Sequence, residues 1–424
     1  MAERLAVLLY GQMVGQLNRA ERRAPPTFTY DGAYVASGSV PLSVRLPIAT
    51  STYSGRRVEP YLLGLIPENR GTRERWADQL DVAPDDVFAM LAEMGWDCPG
   101  AVQFCRFEDV EELPGRSGEY KSVSDVRIAQ RLRALVNEPA SWTMPGEHWS
   151  LGGQQEKFAL TLLDGRWHEA HGSAATTHII KPGIKVLLHQ TLVEHVTMEA
   201  AAELGVDIAG SRLARFEDQW AIVVERFDRV TGSDAAIVRI HQEDFCQALG
   251  RLPEAKYESR VGPTLVDMSG VVRKWSSRRE DDLMALADFV AINLVAGAPD
   301  GHSKNVSLLL APNGQRWVAP LYDLATGLSY DSAAVERKVA VSVGGERIFS
   351  RIRGKQWERA AKTLGLRPEL LLDRAKMLAE QYPDAFARAL AKVEDVPGAV
   401  EVGDRTLPGL REHCERLVQQ LASA

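Results

Sequence analysis

The chain has 424 residues and a formal net charge of −7, from 50 Lys and Arg against 57 Asp and Glu. An apolar content of 45% and a charged content of 25% exclude wholesale disorder, and the length allows about two or three domains around a large core. The mild acidic balance excludes a protein that coats nucleic acid by bulk charge, while leaving room for a local basic patch.

The first elements read as strands: Leu5–Leu9, then Gln12–Gln16 after a Tyr10-Gly11 turn, then Thr27–Tyr30. Leu5–Tyr10 is too short for the core of a signal peptide, so no secretory leader is expected. A helix is predicted after Pro84, where Val87, Met90, Leu91 and Met94 recur at helical spacing behind Asp85 and Asp86. Residues 109–124 are polar, carry Pro-Gly and Ser-Gly, and read as a linker. Ser124 then caps a helix through Val136, with Val126, Ala129, Leu132 and Val136 on one side. From 146 to about 230 the pattern is strand-rich. Phe158–Leu163 and Arg166–Glu169 flank Asp164-Gly165, a hairpin signal, and His178–Lys181 is a short strand ended by Pro182. A helix from Leu192 to Leu204 precedes the strands Arg212–Phe216 and Trp220–Glu225. Beyond 240 the sequence is mostly helical, with one hairpin at 306–322. This order predicts an N-terminal α/β subdomain over 1–108, a linker and helix over 109–145, a strand-rich lobe over 146–228 and a helical lobe over 229–424.

The most apolar stretch, Leu283 to Pro299, falls short of the ~18–20 residues of a membrane span and is interrupted by Asp288 and Asn293, so no membrane association is expected. Cys98, Cys105, Cys246 and Cys414 form no C-x-x-C pair, and a reducing, cytoplasmic location is expected.

The chemistry concentrates in residues 283–323. An apolar helix ends at Gly297–Pro299, and Asp300, Gly301, His302, Ser303, Lys304 and Asn305 follow. A hairpin of Val306–Leu310 and Arg316–Leu321 then delivers Asp323. The arrangement suits phosphoryl transfer from ATP, which needs positioning and charge neutralisation more than covalent work. One Asp accepts the proton of the substrate hydroxyl, and an Asn five residues later holds a metal ion. Asp300 and Asn305 have that spacing, and Asp323 would bridge metal to phosphates. Taken alone, the hexapeptide fits equally well as an Asn/Asp/Gly-rich turn at a helix end.

The strand-rich lobe supplies companions. Lys181 ends the strand His-Ile-Ile-Lys, a suitable exit point for a lysine that pairs the α- and β-phosphates. Upstream, Ser150-Leu151-Gly152-Gly153-Gln154-Gln155-Glu156-Lys157 runs into a strand, and two adjacent glycines let backbone amides approach an anion. By itself this loop also fits an ordinary glycine bulge. Glu194 in the next helix is a partner candidate for Lys181 and Glu199 a second, although either also fits a surface helix. Backbone groups near Glu225 and Phe227 lie where a hinge would meet adenine, and the same stretch also fits a linker with no ligand.

Together these motifs resemble the HipA family of toxin serine/threonine kinases from type II toxin–antitoxin modules, over essentially the whole chain. The resemblance rests on S-L-G-G-Q-Q-E-K (Ser150–Lys157), T-H-I-I-K-P (Thr177–Pro182), V-E-R-F-D-R (Val224–Arg229), H-Q-E-D-F-C-Q-A-L-G (His241–Gly250), D-G-H-S-K-N (Asp300–Asn305) and L-Y-D (Leu321–Asp323), in this order. L-A-V-L-L-Y-G-Q-x-V-G near the start, P-L-S-V-R-L-P at 41–47 and A-M-L-A-E-M-G-W-D-C-P-G-A-V-Q-F at 89–104 are similar as well. The resemblance implies an α+β, two-lobed protein-kinase-like fold with an N-terminal α/β subdomain, using ATP and Mg²⁺. It implies Asp300 as proton acceptor, Asn305 and Asp323 as Mg²⁺ ligands, and Lys181 on the phosphates. Gly152, Gly153, Gln154, Gln155, Glu156 and Lys157 would form the phosphate loop. Glu225, Arg226 and Phe227 would form the adenine hinge, and His302, Ser303, Lys304 and Asn305 with Tyr322 would complete the nucleotide site. Ser150 matches the family's autophosphorylated serine, whose modification turns the loop outward and switches the kinase off. A phosphate there places about −2 charge beside the site meant for ATP phosphates. The chain departs from the usual Gly-Ala-Gln of the loop in having Gly153-Gln154-Gln155.

The resemblance also implies partners. Family toxins are held by a small helix-turn-helix antitoxin, HipB-like, and the complex sits on operator DNA. Arg273, Lys274, Arg278 and Arg279, and then Arg351, Arg353 and Lys355, are the densest basic stretches, fitting either DNA contacts or solvated faces. Family members phosphorylate an aminoacyl-tRNA synthetase, glutamyl-tRNA synthetase in the best-known case, which stalls translation and leads to growth arrest and persistence. The alternative is a catalytically weak relative that serves as antitoxin partner and transcriptional corepressor.

Overall fold

The computed structural model describes residues 3–22, 24–110, 118–137, 147–232, 236–330 and 336–422. Part of the expected 109–124 linker and the end of the 109–145 segment lie outside the described residues. The chain divides into two compact units. The first runs to Pro182 and adds Ala214–Pro253 and Leu308–Arg316; the second holds Gly183–Leu213, Glu254–Ser307 and the chain from Trp317 onward.

The first unit contains two sheets. Apolar N-terminal segments form a four-stranded antiparallel sheet in the order Thr27–Tyr30, Gln12–Arg19, Glu3–Leu9, Val102–Arg106. The helix Val87–Met94 forms where its periodicity places it, with the Asp86 carboxylate accepting from the Ala89 N–H at 2.9 Å. Among the described residues, three helices of this region escape sequence pattern: Gly32–Ser37 is short, Gly55–Leu63 carries an internal Pro60, and Arg70–Leu80 buries only Thr72, Trp76 and Ala77 among its charges. The second sheet has the order Glu119–Ser122, Arg166–His171, Phe158–Leu163, His178–Pro182, Gln219–Glu225, Ser211–Phe216. Its first hairpin turns on Asp164 and Gly165, both left-handed at φ 49° and 74°, the turn that Asp-Gly favours.

The helix Asp125–Asn137 corrects one expectation. Its buried stripe runs through Ile128, Ala129, Leu132 and Leu135, while Val126 is 50% exposed. Arg131 is buried on that stripe because Glu147 takes it in two parallel bonds of 2.8 and 2.7 Å and the Phe158 ring lies 4.3 Å beneath it. A polar residue on the buried face thus rotates the helix away from the stripe that apolarity alone selects. Trp76 and Met94 share one core with Trp149, Phe158, Ile180 and Val223, and the Trp76 and Trp149 rings meet edge-on at 6.4 Å. The N-terminal region and the strand-rich lobe are therefore packed as one body.

The second unit is helical: Gln190–Glu203, Leu265–Trp275, Arg279–Val295, Gly354–Leu364, Pro368–Ala391 and Ala399–Ala422. From Leu283 on, the Arg279–Val295 helix buries most of its residues, as its near lack of charge predicts. Its interrupting Asp288 is paired with Arg374 at 2.7 Å. A hairpin of Lys338–Val343 and Glu346–Ile348 adds to the one expected. That expected hairpin is shorter than its sequence suggests, with strands Ser307–Leu310 and Arg316–Val318. Beyond Val318 the chain leaves the ladder, and Leu321 instead bridges Ile208, its N–H donating to the Asp207 carbonyl at 2.8 Å. Among the described residues no helix is long and apolar enough to cross a membrane.

Candidate active site

In the second unit the buried helix Arg279–Val295 gives way at Gly297, which adopts φ 64° with Leu328 packed against it. Pro299 and Asp300 are exposed, whereas His302, Ser303, Lys304 and Asn305 turn inward and are buried. Three anchors hold this loop. A Cβ on Gly301 would stand 2.1 Å from Asn293 Oδ1, so only glycine fits there. The His302 N–H and the Asn305 side-chain amide both donate to the Asp300 carbonyl, at 2.8 and 3.0 Å. Ser303 Oγ donates to the Lys256 carbonyl at 2.9 Å.

Tyr257, the next residue, donates its hydroxyl to Asp300 Oδ1 and meets the His302 ring edge-on at 5.1 Å. Sequence reasoning missed Lys256 and Tyr257, because nothing in Ala-Lys-Tyr-Glu marks a partner 43 residues away from Asp300. The Tyr322 hydroxyl donates to the Lys304 carbonyl at 2.6 Å and lies 2.7 Å from Ser307 Oγ, fastening the same loop. Asp323 follows, exposed and left-handed at φ 59°, a conformation that Asp tolerates better than most residues. Asp300, His302, Ser303, Lys304, Asn305 and Tyr322 are thus one hydrogen-bonded cluster.

Oxygen donors suit a hard divalent cation. The Asn305 amide nitrogen is committed to the Asp300 carbonyl, so its oxygen is the end a cation would meet, and Asp323 offers an exposed carboxylate. Among the described residues no group of three or more His, Cys, Asp or Glu could hold a metal by itself. The donor set fits Mg²⁺, which takes one or two protein oxygens and completes its shell from phosphates and water.

In the first unit Lys181 is buried in the strand His178–Pro182, opposite Ile222. The glycine loop curls over Lys157: at Gly153, with φ 109°, a Cβ would lie 2.5 Å from Lys157 Nζ. Gln155 Nε2 donates to the Pro182 carbonyl at 3.2 Å, tying the loop to the end of the Lys181 strand. Ser150 is fully buried, its N–H on the Asp97 carbonyl at 3.0 Å and its Oγ on the Leu65 carbonyl at 2.7 Å. Glu194 and Glu199 belong to the second unit, where Glu194 accepts from Gln190 Nε2 at 2.7 Å and Glu199 lies 3.8 Å from Lys392.

The segment 225–229 holds a buried charge cluster. Arg226 donates to both Asp228 oxygens at 3.0 and 2.9 Å, to Thr176 Oγ1 at 2.8 Å and to the Cys98 carbonyl at 3.0 Å. Arg229 and Arg239 reach Asp97 Oδ1 at 2.8 and 3.0 Å. Burial by itself would raise the Asp97 carboxyl, but Arg229, Arg239 and Arg226 hold it well below the usual carboxylate range. The Arg226 N–H is likewise engaged, on the Thr177 carbonyl at 2.9 Å. Glu225 is exposed and Phe227 half-buried.

Several charges of the basic stretches are matched inside the second unit. Arg273 donates to the Thr363 carbonyl and to Ser269 Oγ, Arg278 lies 3.5 Å from Asp282, and Arg351 lies 3.6 Å from Glu336.

Two family models match the chain, the HipA N-terminal domain over residues 5–105 and the HipA-like C-terminal domain over residues 149–386. The protein Y4mE of Sinorhizobium fredii is 34% identical over 389 residues, 91% of either chain. The serine/threonine-protein kinase toxin HipA of Shewanella oneidensis is 28% identical over 397 residues, 89% of this chain and 87% of that one. Among solved structures, a chain of the Shewanella oneidensis HipA, HipB and operator DNA complex superposes with a TM-score of 0.84 at 24% identity, covering 99% of this chain and 98% of that one. The shared fold is the mixed helix-and-sheet, kinase-like fold.

Proposed function

The chain belongs to the HipA family of serine/threonine-kinase toxins, and from that premise we propose that it transfers the γ-phosphate of ATP to a protein serine or threonine hydroxyl. The observation that carries this reading is the 300–305 loop. It presents one exposed carboxylate on a turn whose other polar residues are buried and hydrogen-bonded. Such rigidity is what phosphoryl transfer asks of a protein, since catalysis there is mainly positioning and charge stabilisation.

In this reading Tyr257 holds one oxygen of Asp300, and the other accepts the proton of the substrate hydroxyl. The hydroxyl oxygen bonds to the γ-phosphorus as the bond to ADP breaks. Lys181 and the amides of residues 152–157 take the remaining phosphates, with Lys157 beneath them. Backbone groups of Glu225 and Phe227 meet adenine, and Arg226 serves that hinge by fixing its backbone, its guanidinium being committed to Asp228, Thr176 and Cys98. His302, Ser303, Lys304 and Tyr322, which cluster with Asp300 within the second unit, are proposed as further nucleotide-binding residues. Asn305 and Asp323 would hold Mg²⁺, which would supply charge neutralisation at the phosphates.

Ser150 is read as the site of inactivating autophosphorylation. Its hydroxyl is buried against the Leu65 carbonyl, and a phosphate of about −2 charge has no place among carbonyl oxygens, so the modified loop must leave. The Shewanella relative assembles with HipB and operator DNA, which supports a helix-turn-helix antitoxin and operator DNA as partners here. By the family resemblance, an aminoacyl-tRNA synthetase is the protein target in this reading, and its inhibition would stall translation and favour persistence.

The test is mass spectrometry of the purified chain after incubation with Mg²⁺ and ATP, beside Asp300→Asn. Phosphate on the Ser150 peptide, absent from the variant, is the expected outcome. No phosphate on protein prepared without antitoxin and shown to bind ATP would instead favour a silent antitoxin partner.

A further inference from the structure

The glycine loop is docked, backbone to backbone, on residues 64–75 of the same unit. The Gly64 carbonyl stands 2.4 Å from where a Cβ on Gly152 would lie, so the two chains touch with no side chain between them. Ser150 Oγ donates to the neighbouring Leu65 carbonyl. Pro67 and Gly153 form a parallel bridge, closed by the Glu68 N–H on the Gly153 carbonyl at 2.9 Å. Gln154 Nε2 then reaches Glu68 Oε2 at 3.3 Å. Further on, the Glu156 carboxyl faces the Thr72 hydroxyl and the Arg75 guanidinium of the Arg70–Leu80 helix. Glu156 Oε2 and the Thr72 hydroxyl are buried without forming a well-aligned hydrogen bond, and burial pushes the Glu156 carboxyl up to about 7 against the pull of Arg75 and Lys157.

A loop with two adjacent glycines has much conformational entropy to lose, and its amides bind an anion well only if aligned beforehand. The 64–75 segment supplies that alignment from outside the loop. We propose that the 64–75 segment is a positioning element of the nucleotide site: it holds the glycine loop in the shape that meets phosphate, so that the N-terminal subdomain sets the affinity for ATP. This rests on residues 152–157 being the phosphate loop. Leu65, Glu68, Thr72 and Arg75 touch no nucleotide in this arrangement and act only through the loop. Anything that draws the segment away lowers nucleotide affinity without altering Asp300 or its surroundings.

The test uses the full chain and the double variant Glu68→Ala/Thr72→Val, titrated calorimetrically with Mg²⁺ and a non-hydrolysable ATP analogue. In parallel, hydrogen exchange is followed without nucleotide in peptides covering 148–158 and in the Glu68 amide. The expected result is a Kd raised about tenfold and loop exchange faster by a similar factor, with the Glu3–Leu9 and Gln12–Arg19 strands unchanged. The conservative pair Glu68→Gln/Thr72→Ser should restore both quantities. A variant that melts at lower temperature, yet keeps its Kd and loop exchange within about twofold of a wild type that binds the analogue, overturns the proposal and leaves the phosphate-loop reading intact. A wild type that binds no analogue overturns both.

Discussion

The phenolic hydroxyl of Tyr257 donates to Oδ1 of Asp300, the one exposed carboxylate of the 300–305 loop. The bond fixes the direction of the Asp300 carboxylate and, in the proposed function, leaves its other oxygen to face a substrate. Asp300→Asn should lower phosphate transfer by about 10²–10⁴-fold while ATP binding persists. Tyr257→Phe should lower the single-turnover rate of Ser150 modification by about three- to tenfold, with the apparent KM for ATP unchanged. A Tyr257→Phe chain that loses ATP affinity and keeps its rate would contradict this division of roles.

Gly301 and Asn293 form a steric pair, since a Cβ at 301 would fall 2.1 Å from Asn293 Oδ1. Asn293 cannot readily yield, because its Nδ2 is bonded to the Phe289 carbonyl at 2.8 Å. Gly301→Ala should therefore destabilise the second unit by about 1–3 kcal/mol and displace Asp300. Combining it with Asn293→Ala should recover part of the loss, a coupling that a double-mutant cycle in urea unfolding measures directly. Additive losses would mean that the two residues do not meet.

Asp97 joins Arg229, Arg239 and Arg226 within the first unit, its side chain 2% exposed. Removing its charge leaves the guanidiniums with Asp228 as the remaining buried carboxylate of the cluster. Asp97→Asn should cost about 3–5 kcal/mol, read as an early unfolding transition by fluorescence of the core tryptophans Trp76 and Trp149. A loss under about 1 kcal/mol would show that the cluster tolerates the imbalance.

Burial pushes the Glu243 carboxyl up to about 7, against hydrogen bonds from Ser43 Oγ and the Val44 N–H and the charge of Arg316, with Asp244 adding to the rise. Native Glu243 thus keeps a proton that the unfolded chain releases from near the ordinary value of 4.5. Its contribution to stability is complete below pH 4.5 and is lost as pH rises through about 7. Between pH 5 and 8 the wild type should lose on the order of 3 kcal/mol relative to Glu243→Gln, which cannot titrate. Urea midpoints across that range decide it; a difference independent of pH would place the titration elsewhere.

Features that depend on neighbours along the chain were legible before folding. Asp164-Gly165 turns its hairpin because both positions adopt positive φ, which these residue types accept. The apolar run after Leu283 is buried because it carries too little charge to face water. The ordered motifs were legible for the same reason, since each is a short string whose chemistry lies within a turn or a strand. Even so, apolarity misplaced the buried face of Asp125–Asn137, where Arg131 lies inside because Glu147 meets it there.

Partners that arrive from far along the chain are chosen by packing. Asp97 meets Arg226 across 129 residues, Tyr257 meets Asp300 across 43, and Leu65 receives Ser150 across 85. A buried charge or a bare backbone carbonyl leaves no periodic trace in sequence, because the group that satisfies it is chosen by packing and can lie anywhere. Motifs therefore nominate candidate reacting groups, while the residues packed around them become visible only once the chain is folded.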